Sequence, residues 1–596
     1  MSIHDRHAPQ ASSAFVLPPS RLRGLAASAA LALIVLVGCA SAPERPAPAQ
    51  LLRIGQTVQG QLAPGAAQRW QLDALQVPAG SVVRAEVDGR GVQLDLQDAA
   101  GRHLRRLLRS DGVGEGIIWQ AQAGEQLLLH WNAQPAVAYA SSSAEAGQLP
   151  AQAAAGHYRL EIQRAWAPRA DPPVALPNKP LQSPRLQALA HDLERGGTTD
   201  AFWQEMAQRG TPLVEPWTGQ ERLVTFLWRG AQHSVRLFGS PSGNHESLQR
   251  LGRSDVWWSS FVMPSDARLS YGMAPDVPGI DGTATEQRRS ILATLQRDPL
   301  NPRSWAASED GAAAVDPYQG RSVLQLPDAP AQPWSQPANG PLPGDLQRHW
   351  LHSAALGHGR DVWIYRPAGW AQTPQDQRAL LVLFDAHAYL RQVPTPQIVE
   401  RLQAQGLIPA TAVVLVANAS SELRNTELPP NPAFADFMGL QLMPWLATQG
   451  LDAPAARTVI AGSSYGGLAS SYMALRHPER FGNVLSLSGS YWWAPEAEAP
   501  NAMARWWAAA PRQNVRFYLD AGLYESARGG QAGILETSRE LGDVLRTQGY
   551  PVTQREHSTG HDYVHWQGAL ACGLVALLQA ANATRVQPAC GAGSGQ

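Results

Sequence analysis

The chain's 596 residues exceed the common domain size of roughly 150 about fourfold, so several domains are expected, each long enough to bury its own core. With 44% hydrophobic residues beside 53 glycines and 47 prolines, a collagen-like repeat and wholesale disorder are both excluded. Charged residues make only 16%, and 48 basic against 49 acidic side chains leave a net charge of -1, so no global attraction draws the protein to nucleic acid phosphates.

Arg21 and Arg23 precede an apolar run from Leu25 to Val37 that ends in Leu36-Val37-Gly38-Cys39. A basic flank, a short apolar core and small residues before the cut describe a secretory signal, and the run falls short of the roughly 20 residues needed to cross a bilayer. Cys39 at that place resembles a bacterial lipobox, where the cysteine becomes the acylated first residue; the alternatives are an ordinary signal or a single anchor helix. Ala40-Ser41 lacks the Asp that retains such lipoproteins in the inner membrane, so a lipid-anchored, periplasm-facing protein of the outer membrane is expected. Residues 1–39 then form the signal and 40–50 a tether. With Cys39 consumed by lipid, Cys572 and Cys590 remain, either as two thiols or as a bridge stapling the C-terminal tail to the last helix.

From Leu51 to Trp166, period-2 runs such as Val82 to Val87, Val92 to Leu96 and Tyr158 to Ile162 alternate with Gly, Asp and Pro turns. This pattern predicts an antiparallel β-sandwich, similar to the jelly-roll modules appended to secreted bacterial hydrolases. Residues 138–156 read as a loop and 167–182 as a Pro-rich linker. A second region, 183–335, reads as β-rich, with strands around Leu223 to Arg229, Ser234 to Leu237, Asp255 to Trp258 and Arg268 to Tyr271, and is expected to be a sandwich with aromatic strands. In residues 336–596 the strands become continuous and apolar (380–384, 412–416, 458–461, 484–487, 515–519) and alternate with helical stretches. Strands of that kind are buried on both faces of a parallel sheet, so this domain is predicted to be α/β.

Gly462-Ser463-Ser464-Tyr465-Gly466-Gly467 follows one of these strands and opens a helix over Leu468 to Arg476. That context is a nucleophile elbow, whose tight turn exposes Ser464 and tolerates only small neighbours. The backbone N–H of Tyr465 then faces a developing oxyanion, and a second donor is expected from the loop Asp385-Ala386-His387, at Ala386. A serine hydroxyl needs a base, and the chain order Ser, acid, His directs the search to the C-terminus. His561 sits in the loop before the final helix, with His557 still in the strand and His565 already in the helix. Glu525, three residues beyond Gly522, suits the acid's turn position; Asp520 at the strand end is the rival.

The stretches Gly210-Thr211-Pro212, Ser254 to Trp257, Arg268 to Tyr271, Asp298 to Pro302, Arg424-x-x-Glu427-Leu428-x-x-Asn431, Ala461 to Leu468, Pro478 to Gly482, Ser488 to Trp493, and Gly560-His561-Asp562 with Trp566 occur in the order found in enterochelin esterases. The region from Ser183 to Gln579 thus resembles that family, with an α/β-hydrolase domain behind its N-terminal sandwich. The resemblance implies hydrolysis of the trilactone esters of enterobactin-type catecholate siderophores, commonly as the ferric complex, to dihydroxybenzoylserine units, with iron as cargo. Departures occur at Ser463, Tyr465, Ala386 and Asp520; they leave the loop donor geometry and the identity of the acid open. The resemblance also makes Arg424 a candidate to bind the anionic substrate, against a surface pair with Glu427, and Trp492 and Trp493 candidate walls of the catechol pocket, against core packing.

No HExxH or CxxC ligand pattern occurs, so neither a metal nor any other cofactor is expected. Rival readings are a periplasmic carboxylesterase or acyltransferase acting on another ester, and a non-catalytic siderophore-holding lipoprotein.

Overall fold

Along Gly156–Trp166, Tyr158, Leu160 and Ile162 point inward while His157 and Arg159 face out, the period-2 alternation of a half-buried strand. The computed structural model describes residues 49–596 except 109–114, 132–155, 168, 170–178, 242, 244, 306–315, 337–340, 528–529, 531, 580–589 and 591–596. Cys39 and nearly all of the tether lie outside the described residues, as do most of the loop and linker expected before and after Trp166.

Among the described residues nine strands build the first module: β1 (Gln50–Leu52), β2 (Thr57–Leu62), β3 (Ala67–Leu72), β4 (Val82–Arg90), β5 (Val92–Gln97), β6 (His103–Leu108), β7 (Glu115–Gln120), β8 (Gln126–Trp131) and β9 (Gly156–Trp166). They form two sheets, β1-β3-β8-β5-β6 and β2-β9-β4-β7, around Trp70, Trp119, Leu94 and Leu160.

The next region departs from the all-β expectation at its start, where Pro184–Glu194 and Asp200–Arg209 are helices. Ser183 Oγ accepts from Leu186 N at 3.2 Å and Pro184 occupies the first turn, a strong helix start. Leu186, Leu189, Phe202, Trp203 and Met206 fall at helical spacing and bury against Leu227 and Trp258. Beyond them come β10 (Leu213–Pro216), β11 (Glu221–Arg229), β12 (Val235–Gly239), β13 (Gln249–Arg250), β14 (Val256–Pro264), β15 (Arg268–Pro275), β16 (Ser304–Trp305) and β17 (Arg321–Gln325), in sheets β10-β11-β14-β13 and β12-β15-β17-β16.

One eight-stranded sheet organises the rest: β18 (Asp345–Ser353), β19 (His358–Arg366), β20 (Ala379–Leu383), β21 (Thr411–Val416), β22 (Thr458–Ser463), β23 (Asn483–Leu487), β24 (Arg516–Gly522) and β25 (Val552–His557), in the order β18-β19-β21-β20-β22-β23-β24-β25. β20 to β25 run parallel, while β18 and β19 are antiparallel additions at one edge. Alternate residues of each central strand feed two cores, Leu380 and Val382 on one face, Leu381 and Leu383 on the other, which is why these strands carry no polar stripe. The helix Tyr563–Leu578 covers the second face, and its Cys572 is disulfide-bonded to Cys590, so the tail is stapled to that helix. Among the described residues no helix is long and apolar enough to cross a membrane.

Candidate active site

Loops at the carboxyl ends of parallel strands are where α/β folds gather reactive groups. β22 ends at Ser463, and Ser464 turns directly into the helix Tyr465–Arg476 with φ 59° and ψ -124°. A side chain in that region costs about 1–3 kcal/mol, and the surroundings hold it there. Ser464 N donates to Leu487 O at 3.0 Å, and a Cβ on Gly462 would come within 2.6 Å of the Gly466 backbone. The Ser464 hydroxyl is half-buried and 3.3 Å from Ser490 Oγ.

The imidazole stands in the loop between β25 and the final helix. His561 Nδ1 lies 2.6 Å from Glu525 Oε1, and because a carboxylate can only accept, the proton sits on Nδ1 and leaves Nε2 as the basic nitrogen. The Glu525 side chain is nearly buried, and its other oxygen accepts from Gly522 N and Ser488 Oγ, both at 2.7 Å. Ser488 Oγ accepts in turn from Trp566 Nε1 at 3.0 Å, and the Trp566 indole meets the His561 ring edge to face at 4.8 Å. The chain of contacts runs Trp566, Ser488, Glu525, His561.

Asp520 is occupied elsewhere. Its buried carboxylate lies 3.2 Å from His557 Nε2 and 2.9 Å from His565 Nε2. Burial opposes its ionisation, but the two imidazoles outweigh that and hold it well below the usual carboxylate range. The strand and helix histidines flanking His561 therefore share one acid, and His561 has the other. Ligand-capable atoms of Asp520, His557 and His565 lie within 4.8 Å of one another, a geometry that could hold a cation, although both Nε2 atoms already face the carboxylate.

Tyr465 and Ala386 are the first residues of their helices, Tyr465–Arg476 and Ala386–Arg391, where backbone N–H groups have no partner within the helix. Asp385, with φ 56°, sets the turn before Ala386. Arg424 holds that turn: its Nε and one Nη donate to Asp385 at 2.6 and 2.8 Å, and Asn418 adds a third bond at 2.6 Å. The alternative pairing of Arg424 with Glu427 does not occur; Glu427 takes Arg360 at 2.6 Å and His358 at 3.0 Å. Trp492 is exposed, its ring 5.9 Å from that of Tyr465, whereas Trp493 packs on Trp506 against the core.

The sequence reading missed Ser488 and Ser490, although Ser488-Gly489-Ser490 directly follows a continuous apolar strand at the catalytic edge, the signal that could have marked them. It also missed that the central sandwich grips the histidine loop. Ser270 of β15 gives both its backbone N–H and its hydroxyl to the buried Asp562, the latter at 2.9 Å, and Arg268 N donates to Ser558 O at 3.2 Å.

A strained serine, a carboxylate-held imidazole and the free amides of two helix starts are the groups that acyl transfer requires. The "Enterochelin esterase, N-terminal" family matches residues 223–335 and the "Putative esterase" family residues 353–577. The iron(III) enterobactin esterase of Dickeya dadantii is 30% identical over 429 residues, 64% of this chain and 93% of that protein. The chain belongs to the enterochelin esterase family. Its enterochelin esterase region is also 29% identical to the iron(III) enterobactin esterase of Escherichia coli K12, over 60% of this chain and 91% of the relative. The crystal structure of the enterobactin esterase from Shigella flexneri in the presence of enterobactin superposes with a TM-score of 0.51 at 27% identity, covering 63% of this chain and 97% of that one. As an enterochelin esterase the protein is an ester hydrolase; its first sandwich, residues 51–166, lies outside both family regions.

Proposed function

We propose that this esterase opens the trilactone of enterobactin-type catecholate siderophores, free or ferric, and releases dihydroxybenzoylserine units, with iron as cargo of the substrate. The observation that carries the reading is the His561–Glu525 pair together with an elbow serine, in a chain that spans nearly the whole length of iron(III) enterobactin esterases. Ser464 Oγ attacks a lactone carbonyl as His561 Nε2 takes its proton. Negative charge develops on the carbonyl oxygen in reach of the Tyr465 and Ala386 amides, and Glu525 stabilises the imidazolium. His561 returns the proton to the departing serine alkoxide of the substrate. Water, activated by the same nitrogen, then hydrolyses the ester on Ser464. Arg424 acts chiefly by setting the Ala386 amide through Asp385, and Trp492 offers an aromatic face at the pocket rim.

Chromatography of ferric and iron-free enterobactin incubated with the protein and with Ser464→Ala tests this. Ring opening should fall by about 10³-fold or more in the variant. An intact trilactone in the presence of Ser464-dependent turnover of simple esters would leave an esterase of another substrate.

The same proposal places the enzyme in the periplasm, acylated at Cys39 and held on the outer membrane, with a jelly-roll-like first module and an immunoglobulin-like central one. The lipobox and the Cys572–Cys590 bridge, a bond of oxidising compartments, support that location. Cys39→Ala should move the protein from the membrane fraction to the soluble fraction; retention in the membrane would refute acylation as the anchor.

A further inference from the structure

The first sandwich is seated firmly on the central one. Val82, Ile118 and Trp166 share a buried cluster with Ile280 and Ala293. Asp316 accepts from Arg106 N at 2.7 Å and His103 Nε2 at 3.2 Å, and the Arg105 guanidinium donates to Ala293 O and Leu292 O at 2.9 and 3.2 Å. In this position one end of the β2-β9-β4 surface and the hydrolase sheet line an open cleft of about 620 Å³.

The cleft's location follows from register. β19 runs antiparallel to β21, so Arg360 and Asp361 lie at the carboxyl end of β21, and β18 brings Trp350 opposite Asp361. His387 and Asn418 complete that wall, directly after β20 and β21, and Asn418 is one of the groups that hold Asp385. The cleft thus lies along the catalytic edge of the sheet. β20 is the immediate neighbour of β22, and adjacent strands are about 4.8 Å apart, so the floor begins one strand from Ser464 and ends four strands away, about 19 Å.

Its chemistry is that of an aromatic anion site. The Trp350 indole, 58% exposed, lies flat against Gly359, where a Cβ would meet the ring at 2.6 Å. Arg348 on the hydrolase wall, already paired with Asp361, faces a row of outward polar side chains on the accessory wall: Gln59, Arg159 and Asp88, aligned across β2, β9 and β4, with His157 next to them. Both guanidinium groups are already ion-paired, Arg348 with Asp361 and Arg159 with Glu161 at 2.5 Å, and Asp88 adds a carboxylate; an indole face beside guanidinium planes from two modules still suits a phenolic ring, and the volume is that of a small-ligand site.

We propose that the accessory sandwich is a specificity wall: the cleft between His157 and Arg159 on one side and Trp350 and Arg348 on the other holds one catecholate arm of the substrate while another ester of the same molecule reaches Ser464. This rests on the substrate reading above. An enterochelin esterase without residues 51–166 has no such wall, so the device belongs to this chain's architecture.

Kinetics with ferric enterobactin and with p-nitrophenyl acetate on the full protein, on His157→Ala/Arg159→Ala and on Trp350→Ala test the proposal. The substituted side chains are outward-facing, and circular dichroism verifies folding. The ratio of kcat/KM for the siderophore to that for the small ester should fall at least tenfold in both variants, through KM. Calorimetric binding of ferric enterobactin to Ser464→Ala should weaken by the same factor when the cleft substitutions are added. Ratios and affinities within twofold of the parent would overturn the cleft while leaving trilactone hydrolysis intact. Absence of trilactone turnover in the parent protein would overturn the substrate reading and the cleft with it.

Discussion

One acid, Asp520, stands near the end of β24 and the other, Glu525, in the turn that follows it, and their partners separate their roles. Glu525 touches His561 and is fixed by Gly522 and Ser488; Asp520 lies between His557 and His565 and touches no part of the proposed triad. Glu525→Gln should therefore lower kcat by about 10²–10⁴-fold with little change in unfolding, since the orienting carboxylate is lost and the wrong tautomer is favoured. Asp520→Asn should do the reverse, costing about 3 kcal/mol in denaturant unfolding because it uncouples a buried ionic cluster, with kcat within tenfold of the parent. If steady-state kinetics and urea titrations on the two variants gave the opposite split, the acid would be Asp520. Both acids lie near the same strand end in sequence, and nothing in Leu519 to Glu525 says which carboxylate reaches the loop 36 residues later.

At the scale of elements, the elbow depends on β22 and its helix approaching more closely than a side chain permits. Gly462 is the point of contact, with the Gly466 backbone in the space a Cβ would take. Gly462→Ala should push the helix away from the strand, lowering kcat/KM by about 10²-fold or more as Ser464 and the Tyr465 amide lose register, and destabilising the domain by about 1–3 kcal/mol. Stopped-flow acylation with an activated ester, alongside thermal melts, measures both effects; a fully active variant would mean that the elbow tolerates a looser turn. The helix start Ser183-Pro184 is equally local, as is the 3.6-residue spacing of the buried Phe202, Trp203 and Met206.

For the whole molecule, the catalytic loop is a joint between domains. Asp562, next to His561, is buried and its proton affinity is raised by that burial; Ser270 of the central sandwich supplies two of its donors. Gly560, on the other side of His561, leaves no room for a Cβ beside Ser240. Ser270→Ala should leave a buried carboxylate short of a donor, at a cost of about 1–3 kcal/mol, and lower kcat about tenfold or more with a smaller effect on KM, as the imidazole loses its fixed position. An unchanged kcat would show that the central domain merely abuts the loop. The central sandwich thus holds the loop that carries His561, the base of the proposed mechanism, without contributing a reacting group.

Local chemistry determined much of this protein. A tight turn between an apolar strand and a helix needs small residues around its serine, and a doubly covered sheet needs unbroken apolar strands, so the elbow, the α/β class and the His561 loop are written in consecutive residues. The edge strand β18, with exposed positions such as Trp350, lacks that unbroken pattern and is not legible, whereas β19 carries it in the buried run Val362 to Tyr365. Contacts across long separations were decided only by tertiary structure: Arg424 with Asp385 rather than Glu427, Ser270 with Asp562, and the seating of the first sandwich beside the carboxyl edge of the hydrolase sheet. Each depends on which surfaces the packed modules bring together, and no spacing along the chain encodes that.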